Sequence, residues 1–261
     1  MGEYTDVGGL KTWYDTSGQG DPLVLLHGGL CTNDTWGAQM PFFAERFRVF
    51  APERRAHGHT PDVDGPLTYA DMAADTIGFL ETVVKQPAHL VGWSDGGIVG
   101  LLVTIARPEL VRKLVAISAN FKPAAAAGVP ESHEMENVDA DDPSMDMFRS
   151  LYAASSPDGP DHWPVVLKKF FEMVGSAQPD IKPEELAGIT TPTLVVSGDD
   201  DMVTLEHTVE LYRAIPGSEL AVVPGTSHAL VFEKPDVVNR IVLDFLEKDP
   251  VPTMMPFRRR T

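Results

Sequence analysis

A serine framed by glycines, in Gly-Trp-Ser-Asp-Gly-Gly at positions 92–97, constrains the fold more than any other feature. The apolar run 88–91 before it predicts a buried strand, and the apolar run 98–106 after it predicts a buried helix. A tight turn between them brings backbone close to the serine and leaves little room for a Cβ at the glycines. Such a strand–turn–helix is the context of a nucleophile elbow, with Ser94 as the nucleophile; the pentapeptide alone also fits an ordinary turn.

The remainder of the chain alternates between strand-like and helix-like segments. Helical patterns cover 68–85, which Thr68 caps with Asp71, and the regions near 204–215 and 234–247. Strands separated by helices predict an α/β fold, with a mostly parallel sheet that helices cover on both faces. Besides 88–91, the strand patterns are 10–14 (an early edge strand), 22–27, 48–52, 113–118, 193–197 and 219–223.

The segment 122–182 interrupts this alternation, because no strand pattern occurs in it. Small residues open it, acidic residues without Lys or Arg follow between 131 and 146, and two helical patterns cover 144–154 and 161–174. An insertion too long for a simple loop, helical and rich in Met and aromatic residues, predicts a lid. The alternative is that its apolar residues only pack it onto the sheet.

The division into domains follows from this insertion. Residues 1–121 and 183–247 form the predicted core, 122–182 the helical lid, and 248–261 an irregular C-terminal tail. The tail is Pro-rich and has three arginines just before its last residue, Thr261. It is either disordered or lies across an acidic surface, its own or that of the neighbouring subunit in a homodimer.

The charge balance excludes several classes of partner. The net charge of −17 argues against nucleic acid and anionic membranes, which repel an acidic surface.

The single cysteine, Cys31, permits no intrachain disulfide, which favours a reducing compartment. The N-terminus has no signal-peptide pattern, and no apolar run approaches the roughly 20 residues that span a bilayer. We therefore expect a cytoplasmic protein.

A serine nucleophile needs a base and an orienting acid, and both have candidates after predicted strands. His228 follows the last strand, and Asp201 ends the Gly-Asp-Asp-Asp run that follows the preceding one. Loops at the carboxyl ends of parallel strands are where such a sheet places its site, and the order Ser, Asp, His is that of an α/β-hydrolase triad. Asp199 and Asp200 are rivals of Asp201, which is preferred for its spacing from Gly198.

An oxyanion hole needs two N–H donors. The backbone of Asp95 is the first candidate, because it follows the serine. The second is in the loop 27–30, with Gly29 as the expected donor. The side chain of His27 is expected to bond the loop backbone.

The chain resembles α/β-hydrolase-fold enzymes of the lidded, cofactor-independent esterase type. The resemblance rests on His-Gly-Gly at 27–29, the segment 53–60, the elbow, and the segments 198–201 and 225–228. Glu53 and Ala56 depart from the family's Asp-x-Arg-Gly-x-Gly-x-Ser, which predicts altered loop geometry without loss of chemistry. Dehalogenases and epoxide hydrolases of this fold have Asp in place of Ser94, so those chemistries are disfavoured.

The elbow resembles that of biphenyl-hydrolase-like enzymes that cleave α-amino-acid esters. The resemblance implies that the Asp95 carboxylate meets the substrate's ammonium; the alternative is that this carboxylate points into the scaffold. The acidic lid segment would also favour a cation. The further predicted substrate contacts are Leu30, Trp93, Phe148 and Trp163.

No cofactor is implied, because no nucleotide-binding motif occurs. His57, His59, Asp62 and Asp64 have metal-ligand spacing but lack the following histidine of a metallo-hydrolase motif, so no metal site is predicted.

The predicted function is hydrolysis of a small, largely apolar carboxylic ester or lactone through a Ser-His-Asp triad and an acyl-enzyme. The alternatives are an α-amino-acid ester hydrolase, and a carbon–carbon hydrolase or cofactor-free haloperoxidase of the same fold. A ligand-binding receptor with a vestigial triad is the non-enzyme alternative.

Overall fold

The computed structural model describes residues 2–123, 139–248 and 253–255. Eight strands of these residues form one sheet. They are β1 (Glu3–Val7), β2 (Leu10–Ser17), β3 (Pro22–Leu26), β4 (Arg48–Pro52), β5 (Ala88–Trp93), β6 (Val111–Ile117), β7 (Thr193–Asp200) and β8 (Glu219–Ser227).

The order across the sheet is β1-β2-β4-β3-β5-β6-β7-β8. The pairs β1–β2 and β2–β4 are antiparallel, and the remaining pairs are parallel. The predicted mostly parallel sheet is therefore confirmed. One strand assignment was wrong: 10–14 is not at the edge, because β1 pairs outside it across a two-residue turn at Gly8 and Gly9, which both have positive φ.

Helices cover both faces of the sheet. They are α1 (Gln39–Phe43), α2 (Tyr69–Phe79, continued by a π-helical turn at Leu80–Val84), α3 (Asp95–Ala106), α4 (Asp146–Ser155), α5 (Trp163–Val174), α6 (Pro183–Ala187), α7 (Leu205–Ala214), α8 (Leu230–Glu233) and α9 (Pro235–Glu247). None of the helices in these described residues has the length and apolar character to cross a membrane.

The two faces bury separate cores, as β3 illustrates. Val24 and Leu26 pack in a core with residues of α2 and α3, whereas Leu23 and Leu25 pack in another with residues of α1 and α9. Successive side chains of a strand point to opposite faces, so a strand covered on both sides must be apolar throughout. This burial explains why β3 lacks polar alternation.

The connection between β6 and β7, residues 118–192, is called the β6–β7 insertion below. Its described part carries α4, α5 and α6, and the helices predicted at 144–154 and 161–174 correspond to α4 and α5. The small-residue stretch and the first acidic residues noted in the sequence lie within 124–138, outside the described residues. Most of the predicted tail is also outside them.

The last helix ends against a buried amine. Lys113, in the first half of β6, donates from Nζ to the carbonyl oxygens of Phe245 (2.9 Å), Leu246 (3.0 Å) and Lys248. A cation at a helix C-terminus satisfies carbonyls that have no partner within the helix. The end of α9 is thereby held at the amino-terminal edge of the sheet.

Candidate active site

The predicted elbow is the junction between β5 and α3. Ser94 has φ 56° and ψ −122°, a strained conformation for a residue with a side chain. A Cβ on Gly92 would lie 2.1 Å from the Gly96 oxygen, and one on Gly96 would lie 1.9 Å from the Leu26 oxygen. Both positions therefore require glycine, for the reason the sequence pattern suggested. Because α3 begins at Asp95, its N-terminal N–H groups lie next to Ser94.

Ser94, His228 and Asp201 are brought together at the carboxyl edge of the sheet. His228 Nε2 lies 2.9 Å from Ser94 Oγ, and His228 Nδ1 lies 2.7 Å from Asp201 Oδ1. With a proton on Nδ1, the imidazole donates to the carboxylate and its Nε2 can accept the serine proton. The arrangement can therefore activate a hydroxyl nucleophile.

Asp201 is buried in a shell of donors. Its Oδ1 accepts the N–H of Val203 (3.0 Å), and its Oδ2 accepts the hydroxyls of Ser118 and Ser197. Burial acts to raise the pKa of Asp201, but hydrogen bonds and the charge of His228 outweigh it and lower that pKa below its usual value. The carboxylate therefore stays ionised and fixes the imidazole. The rival acids Asp199 and Asp200 are exposed, and Asp199 accepts a hydrogen bond from the N–H of Thr226.

The loop that carries His228 is tied down on two sides. The indole N–H of Trp93 donates to the His228 oxygen at 2.8 Å, and the Trp93 ring lies 5.6 Å from the imidazole. Glu233 accepts the N–H and the hydroxyl of Ser227, both at 2.7 Å. Trp93 is only 7% exposed and also packs on Phe232, so its indole is in contact mainly with the loop that carries His228 and with the helix after it.

The loop after β3 lies against the elbow. Leu30 has φ 54°, and a Cβ on Gly29 would lie 2.4 Å from the Phe170 ring and 2.6 Å from Asp95 Oδ2. His27 Nδ1 lies 2.8 Å from the Gly28 oxygen, which is the backbone role expected of this histidine. Burial, with the nearby Arg54 charge, holds the pKa of His27 well below its usual value, so its ring is neutral.

Asp95 has its carboxylate inside the protein. Tyr69 donates to its Oδ1 at 2.9 Å, whereas its Oδ2 is buried without a hydrogen-bond partner among the described residues. Burial raises the pKa of Asp95, and the opposing effects come from Arg54 and from the Tyr69 bond. The burial of Tyr69 raises the pKa of its hydroxyl well above the usual value. The buried Arg54 guanidinium thus acts electrostatically on the Asp95 carboxyl, which sequence patterns gave no reason to expect.

The segment 53–60 is organised around the carboxylate of Glu53, and whether its geometry departs from that of the family stays a prediction. The buried Glu53 carboxylate accepts the N–H of His59 at 2.6 Å and that of Asn33 at 3.3 Å. Ala56 has φ 62°, where glycine is usual, and a Cβ on Gly58 would lie 2.2 Å from the Glu53 carboxyl carbon. Glu53 therefore joins this segment to the turn that follows the loop at 27–30.

Asp62, one of the residues with metal-ligand spacing, anchors the β6–β7 insertion instead. Its Oδ2 lies 2.6 Å from Lys169 Nζ and 2.9 Å from His162 Nε2 on the insertion. Its own N–H donates to Asp158 at 2.7 Å. Burial acts to raise the pKa of Asp62, but the bonds from Lys169 and His162 outweigh it and lower that pKa. The described residues contain no cluster of His, Cys, Asp or Glu fit to hold a metal.

The predicted substrate contacts differ in their surroundings. Leu30 is 8% exposed, and Phe148 is half-buried between the two cores. Trp163 is 2% exposed, donates to the Ala140 oxygen at 3.1 Å and packs on Tyr152. That environment gives Trp163 a packing role within the insertion, the alternative considered for its apolar residues.

Four residues around the site carried no sequence signal of their role. Arg54 was one residue of the segment 53–60, Tyr69 the start of a helix, Ser118 the end of a strand and Phe170 one of several lid aromatics. Each acquires its role from contacts with residues distant in the chain, which motifs of a few residues do not encode.

Curated relatives cover nearly the whole chain. Human serine hydrolase BPHL is 28% identical over 252 residues, covering 92% of this chain and 84% of that protein. A non-heme chloroperoxidase from Burkholderia pyrrocinia is 27% identical and covers 91% of this chain and 95% of its own length.

Solved structures show the same fold. The meta-cleavage product hydrolase of Pseudomonas fluorescens IP01 superposes with a TM-score of 0.76 at 21% identity, over 94% of this chain and 97% of that chain. The enol-lactonase of Burkholderia xenovorans LB400 superposes with a TM-score of 0.74 at 24% identity, over 94% of this chain and 100% of that chain. A sequence model of the alpha/beta hydrolase family matches residues 23–241. Fold, matched segment and relatives agree that this chain is a hydrolase that belongs to the alpha/beta hydrolase family.

Proposed function

We propose that the chain hydrolyses carboxylic esters or lactones of small, largely apolar molecules, with Ser94 as nucleophile. The observation that carries the proposal is the unbroken chain of contacts from Ser94 Oγ through His228 to Asp201, at 2.9 and 2.7 Å. Both distances are within hydrogen-bond reach, which proton transfer requires.

The reaction has two halves. Ser94 Oγ bonds to the substrate carbonyl carbon as its proton moves to His228 Nε2, and the carbonyl electron pair moves onto oxygen. Collapse of this tetrahedral intermediate expels the alcohol, which takes the proton from His228 and leaves an acyl-enzyme. Water then attacks with His228 as base, and the acid departs as Ser94 regains its proton. A lactone yields one hydroxy acid by the same steps.

The oxyanion of both intermediates needs donors on the side of Ser94 away from His228. The N–H groups of Asp95 and Gly29 fulfil that role in this proposal. Asp95 starts α3, whose first N–H groups have no carbonyl partner within the helix, and Gly29 lies in contact with the Asp95 side chain. Losing one such donor typically costs about 10²–10³ in rate.

The β6–β7 insertion acts as the lid of this site. Its Phe170 ring lies against Gly29, and its half-buried Phe148 packs against both cores. Together with Leu30 these rings give the acyl or alcohol group an apolar wall, which favours uncharged, apolar substituents.

Substitution Ser94→Ala tests the proposal. We expect turnover of p-nitrophenyl acetate and butyrate to fall about 10⁴-fold or more, with the circular dichroism spectrum unchanged. Ser150→Ala is the matched control, because Ser150 is exposed on α4 and bonds only its own helix. Turnover retained by pure Ser94→Ala protein contradicts the proposal. Binding without multiple turnovers by the unaltered chain would instead support the receptor alternative.

An α-amino-acid ester hydrolase is the second candidate, favoured by one observation: Asp95 Oδ2 is buried, unpartnered among the described residues and next to Gly29. Against it, the buried charge of Arg54 already acts on this carboxyl and lowers its pKa. Asp95→Asn distinguishes the candidates. A selective loss of activity on valine and phenylalanine esters, with acetate esters unaffected, supports the ammonium role.

The relatives extend the choice of reaction. One is named a chloroperoxidase and one solved structure a meta-cleavage product hydrolase, so the same site could act on peracids or carbon–carbon bonds. A panel of acetate esters, lactones, a meta-cleavage product and acetate with peroxide and bromide separates these activities. We expect esters or lactones to be turned over fastest.

A further inference from the structure

Arg54 is a buried cation that bonds backbone oxygens. It is 3% exposed, and its Nη1 donates to the His27 oxygen at 2.5 Å while its Nη2 donates to the Gly28 oxygen at 3.0 Å. Its Nε is buried without a hydrogen-bond partner among the described residues. Burying a guanidinium is costly, and two neutral carbonyls repay less of that cost than a carboxylate would. Its location therefore indicates a role in the oxyanion loop.

The Gly28 oxygen receives a second donor. His27 Nε2 accepts the N–H of Arg54 at 3.2 Å, so the one proton of the neutral ring is on Nδ1 and points at the Gly28 oxygen, 2.8 Å away. This carbonyl thus accepts from a ring N–H and from a cation. Charge-assisted bonds are about twice as strong as neutral ones.

The Gly28 oxygen and the Gly29 N–H are the two ends of one peptide group. That peptide is trans, since the only cis bond in the described residues is Gln178–Pro179. In a trans peptide the N–H points away from the carbonyl oxygen, and therefore away from Arg54. A donor on the oxygen polarises the group and makes its N–H a stronger donor on the opposite side.

We propose that Arg54 is a positioning residue for the reaction: it fixes the Gly28–Gly29 peptide and, through it, strengthens the Gly29 N–H toward the oxyanion. This inference rests on the proposed function, which assigns that N–H to the oxyanion hole. Arg54 contacts no substrate. Its effect is largest when negative charge is fully developed, so it acts on kcat rather than on KM.

Removing Arg54 also removes the positive charge that acts on the buried Asp95 carboxyl, which by itself would disturb the site. A series of variants separates the two effects. Arg54→Met removes the charge, and Arg54→Met with Asp95→Asn removes both charges. Arg54→Lys keeps a charge, although a single ammonium cannot reproduce the planar fork that bonds the two carbonyls. Arg55→Met is the matched control, because Arg55 bonds Asp75 at 2.6 and 2.8 Å and no carbonyl of the loop.

Three quantities are measured on each variant: kcat and KM for p-nitrophenyl acetate, and the Ki of an aryl trifluoromethyl ketone. The ketone carbonyl accepts Ser94 Oγ, the serine proton moves to His228, and the adduct carries the oxyanion. We expect Arg54→Met to lower kcat about 10- to 100-fold, less than the loss of a donor. KM should change by less than about twofold, and Ki should rise by the same factor by which kcat/KM falls.

The double variant decides the cause. A loss of the same size as in Arg54→Met supports the relay through the peptide, whereas recovery of kcat shows that the unpaired Asp95 caused it and overturns the inference. If Arg54→Met does not fold, Arg54→Lys decides: a folded variant with unaltered kcat and Ki overturns the inference. An unaltered chain without Ser94-dependent turnover overturns the proposed function, and this inference with it. Arg54→Met that matches the unaltered chain overturns the inference alone.

Discussion

The carboxyl edge of the sheet and the contact between the β6–β7 insertion and the loop at 60–65 are held by different forces. At the edge, Asp201 is bonded by Ser118, Ser197 and the N–H of Val203, and the elbow has no space for an extra methyl group. The insertion contacts the loop at 60–65 mainly through Asp62, whose partner Lys169 is 17% exposed. Close packing fixes the positions of Ser94, His228 and Asp201, whereas a few partly buried ion pairs at the margin of the fold are easier to open. Substitutions should therefore cost more at the edge than in the insertion.

The largest expected effect is that of Asp201→Asn. The amide has no negative charge to stabilise the imidazolium, and its NH2 group donates to Nδ1 and favours the wrong tautomer of His228, so kcat falls about 10⁴-fold. Steady-state kinetics with p-nitrophenyl acetate measures the loss. Asp199→Asn and Asp200→Asn are exposed controls that should keep kcat within about twofold. A large loss in either control would transfer the role of the acid to that residue.

Gly96→Ala comes next and acts on stability. The new Cβ would lie 1.9 Å from the Leu26 oxygen and 2.7 Å from the His27 oxygen, so backbone must move. We expect more than about 3 kcal/mol of destabilisation, seen as a fall of about 10 °C in Tm or as loss of soluble protein. Gly37→Ala is the control: Gly37 is helical, with φ −54°, and its Cβ would meet only the Asp34 oxygen at 3.4 Å. Equal Tm values would contradict the packing argument.

Asp62→Asn should cost less and act locally. Losing the charge-assisted bonds to Lys169 and His162 removes about 1–2 kcal/mol, and amide hydrogen exchange should accelerate in α5 but not in α3. The folded pKa of Asp62 is below the unfolded value of about 3.9, so its contribution is present above that pH and lost as pH falls through the folded pKa. Urea unfolding at pH 7 and pH 3 should therefore show a smaller penalty at the lower pH.

The control for Asp62 is Asp161→Asn, an exposed aspartate of the insertion. It should leave both hydrogen exchange and the unfolding free energy unchanged within about 0.5 kcal/mol. A uniform increase of exchange in α3 as well as α5 would show that the insertion is not a separate unit, and the comparison would fail.

The smallest effect is expected for Glu172→Gln. Its pair with Lys168 spans 3.7 Å at the surface of α5, with both side chains more than half exposed. Exposed pairs of this spacing contribute about 0.3–0.5 kcal/mol, and salt screens them. The penalty of the substitution in unfolding free energy, measured with urea, should differ between 20 mM and 500 mM NaCl by no more than this amount. A larger loss would show that surface pairs hold the insertion as firmly as Asp62 does.

The same contrast separates what sequence could predict from what it could not. Ser94, Asp201 and His228 follow strands that their own apolar pattern identifies, and the elbow glycines are required by contacts within a few residues or with the adjacent strand. The parallel sheet and the helices α4 and α5 follow from periodicity for the same reason. Local chemistry therefore sufficed for the fold and for the meeting of Ser94, Asp201 and His228 at one edge of the sheet.

What escaped prediction depends on contacts between distant segments. Lys169 lies 107 positions from Asp62, and Tyr69 lies 26 from Asp95. A charged residue in a polar stretch usually predicts solvent exposure, so the burial of Arg54 had no signal. β1 was missed because its pattern is weak at an edge, where only Val7 of its residues is buried.

The amine of Lys113 also determines where a linker can be attached to this protein. Its register partner His89 stands five residues before Ser94, so at about 3.3 Å per residue the anchor of α9 lies about 16 Å from the nucleophile along the strand direction. A linker joined after Lys248 would leave from the edge opposite the site. A molecule immobilised on a surface through such a linker would keep its substrate entrance facing the solution.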